Sequence, residues 1–380
     1  MSKYFRDFHL MKLLKGFSTQ SLPLDLFIRN YLKSNKSIGS HDRRFLAETI
    51  YTMFRWLGLI DYLSGKDRSW EHRYEIFQKL DTTTAHENPA LPPHVGVSFP
   101  KGLYELIKSG LGEDKVKEFC LISNTQAPTT IRINPLKTDR QTLLTDWERE
   151  YEVYPCATSP LGIVFKKREN FFGMEQFKEG LFEMQDEGSQ LLAFLVEAQP
   201  GQQVLDFCSG SGGKTLAFAS RLNGTGQIYL HDIRQSALIE AKKRLKRAGI
   251  QNAQILQYDD TKKKGLKNTM DWVLVDAPCS GTGTLRRNPD MKWRFDPQTI
   301  SKLQEEQRTI FAQALEFVKP GGKIVYATCS ILPQENTEQT DYFLKTHSIE
   351  RVGSPFETFP TLGGMDGFFG AIFEKKKNNL

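Results

Sequence analysis

From Pro200 onward, short β-forming apolar runs alternate with amphipathic helical stretches. Few architectures accommodate that alternation, because successive parallel strands need crossovers that cover the sheet. Val204-Leu205-Asp206 reads as a strand, Gly210, Gly212 and Gly213 as a tight loop, and the residues after Thr215 as a helix. Further strands are expected at 227–232, 253–259, 272–276, 323–329 and 367–374. One intervening helix carries Leu238, Ala241, Leu245 and Ala248 and ends at Gly249. Another carries Leu303, Ile310, Phe311, Ala314, Leu315 and Val318. The pattern predicts an α/β fold, a doubly wound parallel sheet whose ligands bind beyond the carboxyl ends of its strands. Two of those strands lead to thiols. Pro320-Gly321-Gly322 reads as a turn before Lys323-Ile-Val-Tyr326, a run that stops at Cys329. The run from Trp272 ends at Asp276, with Cys279 three residues on. Free cysteines often do no more than pack as small hydrophobes, so this pair needs support from the rest of the chain.

Residues 1–90 read as a helical domain, with Leu24, Phe27 and Tyr31 on one apolar face and Phe45, Leu46, Ile50 and Phe54 on another. Ser40 is a plausible N-cap, and Asp42-Arg43-Arg44 opens the longer helix. The formal net charge is +6, and residues 1–95 carry four of those excess charges. A basic helical module can track a phosphate backbone, or simply present a solvated face. Asp81 to Pro93 is polar and Pro-containing, as a linker would be. Residues 91–185 form a small α+β module, with a helix at 103–111 and strands at 129–134, 162–165 and 181–184. Residues 186–380 form the α/β domain. No apolar run approaches the roughly 20 residues that span a bilayer. Five widely spaced cysteines, without Cys-x-x-Cys spacing, argue for a reducing cytoplasm and against a structural zinc site. A monomer with no metal is expected.

The glycine loop admits three readings. A P-loop would need glycine at position 208, which is Cys208. A dinucleotide fingerprint would put its third glycine at Thr215. The third reading is a nucleoside-binding loop for S-adenosylmethionine, formed by Cys208, Ser209, Gly210, Ser211, Gly212, Gly213 and Lys214. It gains weight from Asp232, which ends the next strand 20 residues after Gly212 and can accept both ribose hydroxyls. Asp259 and Asp276 end the two strands after that. Each carboxylate taken singly is more often a turn or cap residue.

Two thiols and a carboxylate match one demanding reaction. Carbon 5 of cytosine is a poor nucleophile until a thiolate adds to carbon 6. A carboxylic acid at ring nitrogen 3 stabilises the charge that develops. A second thiol can then assist release. Tyr326-Ala-Thr-Cys329-Ser330 with Pro333-Gln-Glu335-Asn336, and Asp276-Ala-Pro-Cys279-Ser-Gly-Thr-Gly with Arg286-Arg287-Asn-Pro-Asp290-Met-Lys292-Trp293, resemble the two cysteine motifs of the RsmB/Sun family of RNA 5-methylcytosine methyltransferases. The resemblance covers most of the chain and includes Phe182-Glu-Met-Gln185-Asp186-Glu187. It implies a class I, Rossmann-like S-adenosylmethionine methyltransferase domain behind an N-terminal NusB-like helical domain. By the same resemblance Cys329 is the nucleophile, Cys279 the release cysteine and Asp276 the carboxyl group at the ring. The implied partner is RNA, ribosomal before transfer RNA. The rival readings are a transfer-RNA methyltransferase, a non-catalytic RNA-binding assembly factor and a P-loop nucleotidase. Departures occur in the cofactor loop, where Ser209, Gly210 and Ser211 replace the family's Ala-Ala-Pro, and at Ala237, where the family often has a basic residue.

Overall fold

The computed structural model describes residues 3–17, 22–256 and 262–377. Asp259 lies outside the described residues. Two units are resolved: residues up to Gln126 together with Thr284–Thr299, and Ala127–Gly283 together with Ile300–Leu380. The positions 90 and 185 both fall inside these units rather than between them.

The first unit is helical. Helices Lys3–Phe17, Leu24–Ser34, Ser40–Arg55, Leu57–Ser64 and Trp70–Lys79 close around Leu10, Leu14, Leu46, Ile50, Met53 and Leu59. Ser40 is the first helical residue and Gly39 the cap, with no side-chain capping bond. The stretch read as a linker is folded onto this core, where Ala85 and Leu91 pack and Val95 is buried. Arginines of the basic helix are partly consumed internally. Arg43 donates to the Ile38 and Asn35 carbonyls, and buried Arg55 to the Arg286 carbonyl. Residues 284–299 are held by Lys292, whose Nζ donates to Arg55 O and Ser98 O at 2.7 Å and to Asn124 Oδ1 at 2.6 Å. Three oxygens use all three ammonium protons, and the ring of Phe99 lies 4.3 Å from the charge.

The second unit carries two sheets. Strands β1 (Thr129–Ile133), β2 (Val153–Pro155), β3 (Gly162–Phe165) and β4 (Phe182–Met184) form an antiparallel sheet in the order β2-β3-β1-β4. Ile131, Ile133, Ile163, Phe165 and Phe182 bury one face under Leu144 and Trp147. The larger sheet contains β5 (Gln203–Asp206), β6 (Gln227–His231), β7 (Ala253–Leu256), β8 (Met270–Asp276), β9 (Val318–Thr328), β10 (Ile349–Thr358) and β11 (Phe368–Lys375). Its order is β10-β11-β9-β8-β5-β6-β7. Strands β5 to β9 pair in parallel, and β11 runs antiparallel to both its neighbours. Both faces are covered by apolar clusters, as a parallel sheet requires. Pro320-Gly321-Gly322 is not a turn ahead of the strand. β9 runs through it, and the register against β8 shifts between Met270 and Trp272 to absorb the extra residues.

Candidate active site

The parallel register places the strand ends together. Neighbouring β5 and β8 meet at the point where the strand order reverses, and Asp206 and Asp276 end them. That is where open α/β sheets bind ligands. A cleft of about 430 Å³ opens there, lined by Ser209, Gly210, Ser211, Gly213, Lys214 and Asp276 on one part and by Gln185, Ser189, Arg234, Ala237 and Arg244 on another.

The loop after β5 folds back on itself, with the Gly212 N–H donating to Ser209 O at 2.8 Å. Gly210 and Gly212 have φ of +52° and +78°, the left-handed region that side chains rarely adopt. A Cβ on Gly212 would reach van der Waals contact with Ala241 and Leu230, so its positive φ is what favours glycine there. Gly210 N–H donates to Asp232 Oδ2 at 2.8 Å. Asp232 is buried, which opposes its ionisation, but the Arg234 guanidinium and the Arg234 and Gly210 N–H groups hold its carboxyl below the usual range. Cys208 turns away and packs against the apolar cluster of the sheet, where burial pushes its thiol up.

Asp206 ends β5 just ahead of the glycine loop, a position to which the sequence alone assigns no role. It is buried, accepts from Thr215 Oγ1 at 2.6 Å, and its other oxygen has no partner. Burial pushes its carboxyl up to about 7. The unfolded chain releases this proton near pH 4. Below that pH both states hold the proton and the contribution is fully present. As pH rises through the folded value it is lost, in total on the order of 4 kcal/mol. The melting temperature of the free protein should therefore fall between pH 4 and 7, and Asp206→Asn should flatten that slope. Parallel slopes for the two proteins would overturn the assignment.

Lys214 sits where a P-loop lysine would face phosphates, but its Nζ bonds Asp276 Oδ2 at 2.5 Å. Burial disfavours the ammonium, yet Asp276 raises its proton affinity above the ordinary value. The thiols are adjacent, with Cys279 Sγ 3.3 Å from Cys329 Sγ and the Cys329 N–H 3.4 Å from Cys279 Sγ. A hydrogen bond from the Cys279 thiol pulls Cys329 down, and Lys214 helps it; the same bond pushes Cys279 up. The pair therefore favours ionisation at Cys329 over Cys279.

A buried polar frame holds the two cysteine loops. Glu335 is fully buried and accepts from Ser280 N–H at 2.9 Å, Ser280 Oγ at 2.5 Å and Gln307 Nε2 at 3.0 Å. Gln307 also donates to Pro278 O, and Gln339 to Gln307 Oε1. Ser330 Oγ lies 3.0 Å from Thr282 Oγ1, and Gly283 N–H donates to Cys329 O at 2.9 Å. Spacing within the Cys329 motif does not show that Glu335 braces the opposite cysteine loop at Ser280, while Asn336 Nδ2 donates to Ser330 O beside Cys329 itself.

The chemistry of this donor set fits a nucleoside with free ribose hydroxyls. There is a strand-end carboxylate, a loop whose glycines allow close approach, a buried Ser209 hydroxyl without a protein partner, and no lysine free for phosphate. This sheet order, with that loop over its carboxyl edge, defines the class I S-adenosylmethionine-dependent methyltransferase fold. Residues 193–373 match the model for the 16S rRNA methyltransferase RsmB/F, and residues 99–171 match the ferredoxin-like domain of the RsmF/B-like methyltransferases. The chain belongs to the RsmB/F methyltransferase family. It is similar to the probable ribosomal RNA small subunit methyltransferase B of Synechocystis, 34% identical over 265 residues, covering 68% of this chain and 59% of that one. The Bacillus subtilis protein of the same name is 28% identical over 96% of this chain and 84% of its own. The chain thus spans less than two thirds of the Synechocystis relative. Among solved structures, PH0851 matches with a TM-score of 0.81 at 23% identity, covering 96% of this chain and 97% of that one. Among the described residues no helix is long and apolar enough to cross a membrane, and no group of three or more His, Cys, Asp or Glu side chains is placed to hold a metal ion.

Proposed function

We propose that this chain transfers a methyl group from S-adenosylmethionine to carbon 5 of a cytosine in ribosomal RNA, acting as a cytoplasmic monomer. The observation that carries this reading is the pair of thiols 3.3 Å apart at adjacent strand ends, beside the Lys214–Asp276 pair. A single buried cysteine would need neither neighbour. The Cys329 thiolate adds to carbon 6, forming the sulfur–carbon bond and moving the electron pair toward carbon 5. Asp276 and Lys214 hold the nitrogen 3 edge and stabilise that charge. The cofactor supplies the methyl group to carbon 5. Transfer of the carbon 5 proton to solvent water then lets the carbon 6–sulfur bond break with its electron pair returning to Cys329, and Cys279 gives the departing sulfur a hydrogen bond.

For the cofactor, the reading uses the backbone of Ser209 to Gly213 and the Asp232 carboxylate for the ribose. Asp232→Ala should weaken S-adenosylmethionine binding by about 1–3 kcal/mol, because the ribose hydroxyls lose their acceptor. Calorimetry that finds no binding by the parent protein, or tight ATP binding, overturns the cofactor reading. The helical unit supplies RNA contacts in this reading, and its exposed Arg44 is one candidate. The function is tested by bisulfite sequencing of total RNA from a deletion strain and its parent. Loss of one modified cytosine in small-subunit ribosomal RNA is expected. Loss in a transfer RNA reassigns the substrate, and no loss leaves an assembly factor.

A further inference from the structure

The cofactor loop of this chain has no proline to stiffen it between Cys208 and Thr215. Proline fixes φ, whereas Ser209-Gly210-Ser211 places a glycine between two serines. A turn that must present its N–H groups to a ligand then needs another restraint. The restraint comes from outside the loop. Arg244 lies on the helix Gln235–Ala248, and its Nη1 donates to Ser211 O at 3.0 Å and to Ser211 Oγ at 2.8 Å. Its Nε and Nη2 donate to Glu183 Oε2 on β4, at 3.3 and 3.0 Å. Glu183 is itself buried and also accepts from Arg247. Two residues on, the Gly213 carbonyl accepts from Arg132 of β1 at 3.2 Å, and the same nitrogen bonds Gln185. Two carbonyls of the loop are thus gripped by guanidinium groups anchored on the small antiparallel sheet. A planar guanidinium can serve both sides at fixed geometry, which an ammonium cannot.

We propose that Arg244 is a positioning residue for the cofactor, tying Ser211 to Glu183 so that the small sheet holds the loop in its binding form. The inference rests on the methyltransferase reading. It makes the antiparallel sheet part of the cofactor site rather than only a neighbour of it. Arg244→Gln removes the charge and the fork, Arg244→Lys keeps the charge alone, and Glu183→Gln loosens the anchor without touching the loop.

The test titrates S-adenosylmethionine into each protein by calorimetry. Hydrogen exchange at the amides of residues 209–213 and melting temperature are followed in parallel. Arg244→Gln is expected to lose about tenfold in affinity, with faster exchange confined to the loop. Arg244→Lys and Glu183→Gln should fall between it and the parent. Parent-like affinity in both Arg244 variants overturns the inference while leaving the methyltransferase reading intact. So does an affinity loss that only tracks lowered melting temperature, with loop exchange unchanged. Absence of binding by the parent protein itself instead removes the reading on which the inference rests.

Discussion

Cys329→Ala should lower methyl transfer by about 10⁴-fold or more, because in the proposed reaction Cys329 is the group that opens the ring for attack at carbon 5. Cys279→Ala has a different signature. The proposed nucleophile remains, so methyl transfer should proceed, but release from the methylated ring should slow and a covalent protein–RNA adduct should accumulate. The geometry adds a pH dependence. Cys329 keeps its low proton affinity chiefly through the hydrogen bond from Cys279, 3.3 Å away. Without that donor the thiolate forms only at higher pH, so adduct formation in Cys279→Ala should rise with pH well beyond the point where the parent enzyme levels off. Denaturing gels of enzyme, RNA and S-adenosylmethionine read this directly. A slow-migrating band with Cys279→Ala, absent from the double variant, is the expected result. A band with Cys329→Ala and none with Cys279→Ala reverses the roles. Full activity in both single variants makes the pair structural.

The strands that carry the site were legible because each ends in a chemical group that packing does not require. Asp206, Asp232, Asp276 and Cys329 close apolar runs, and a parallel sheet brings such ends to one edge. Strand β10 was not legible. Ile349-Glu-Arg-Val-Gly-Ser-Pro-Phe-Glu-Thr is a half-exposed edge strand with charges, a glycine and a proline at its irregularity, and those devices erase the β signal while blunting the edge. β2 is three residues long and escapes for lack of any period. Lys214 reads in sequence as a cofactor-loop residue. Its bond to Asp276 crosses 62 positions, and local spacing cannot show it. The frame around Glu335 is hidden for the same reason, since Ser280 and Gln307 reach it across 55 and 28 positions. Residues 284–299 look like a continuation of the α/β domain. The burial of Lys292 among Arg55 O, Ser98 O and Asn124 Oδ1, with the bonds from Arg55 to Arg286 O and from Trp293 Nε1 to Phe54 O, ties them to the helical unit.

Removing either half of the Lys214–Asp276 pair should move the pH profile in opposite directions. Both charges act on Cys329: Lys214 favours the thiolate and Asp276 opposes it. In Lys214→Met the carboxylate remains alone beside the thiol, so Cys329 holds its proton to higher pH and the acidic limb of kcat/KM shifts upward. In Asp276→Asn the ammonium acts unopposed and the limb shifts downward. The rates separate the variants further. An asparagine can still hydrogen-bond but cannot hold or give up a proton at ring nitrogen 3, so the Asp276→Asn plateau should drop by about 10²–10⁴-fold. Each single variant also strands a charge. Lys214 has only 12% of its side chain exposed, so loss of its partner costs more stability than loss of a surface pair. The double variant Lys214→Met/Asp276→Asn should therefore melt closer to the parent than Asp276→Asn does, while remaining inactive. Profiles that shift the same way in both single variants would break the link between this pair and the nucleophile. An Asp276→Asn plateau equal to the parent's would remove Asp276 from the chemistry, leaving Lys214 to orient the base alone.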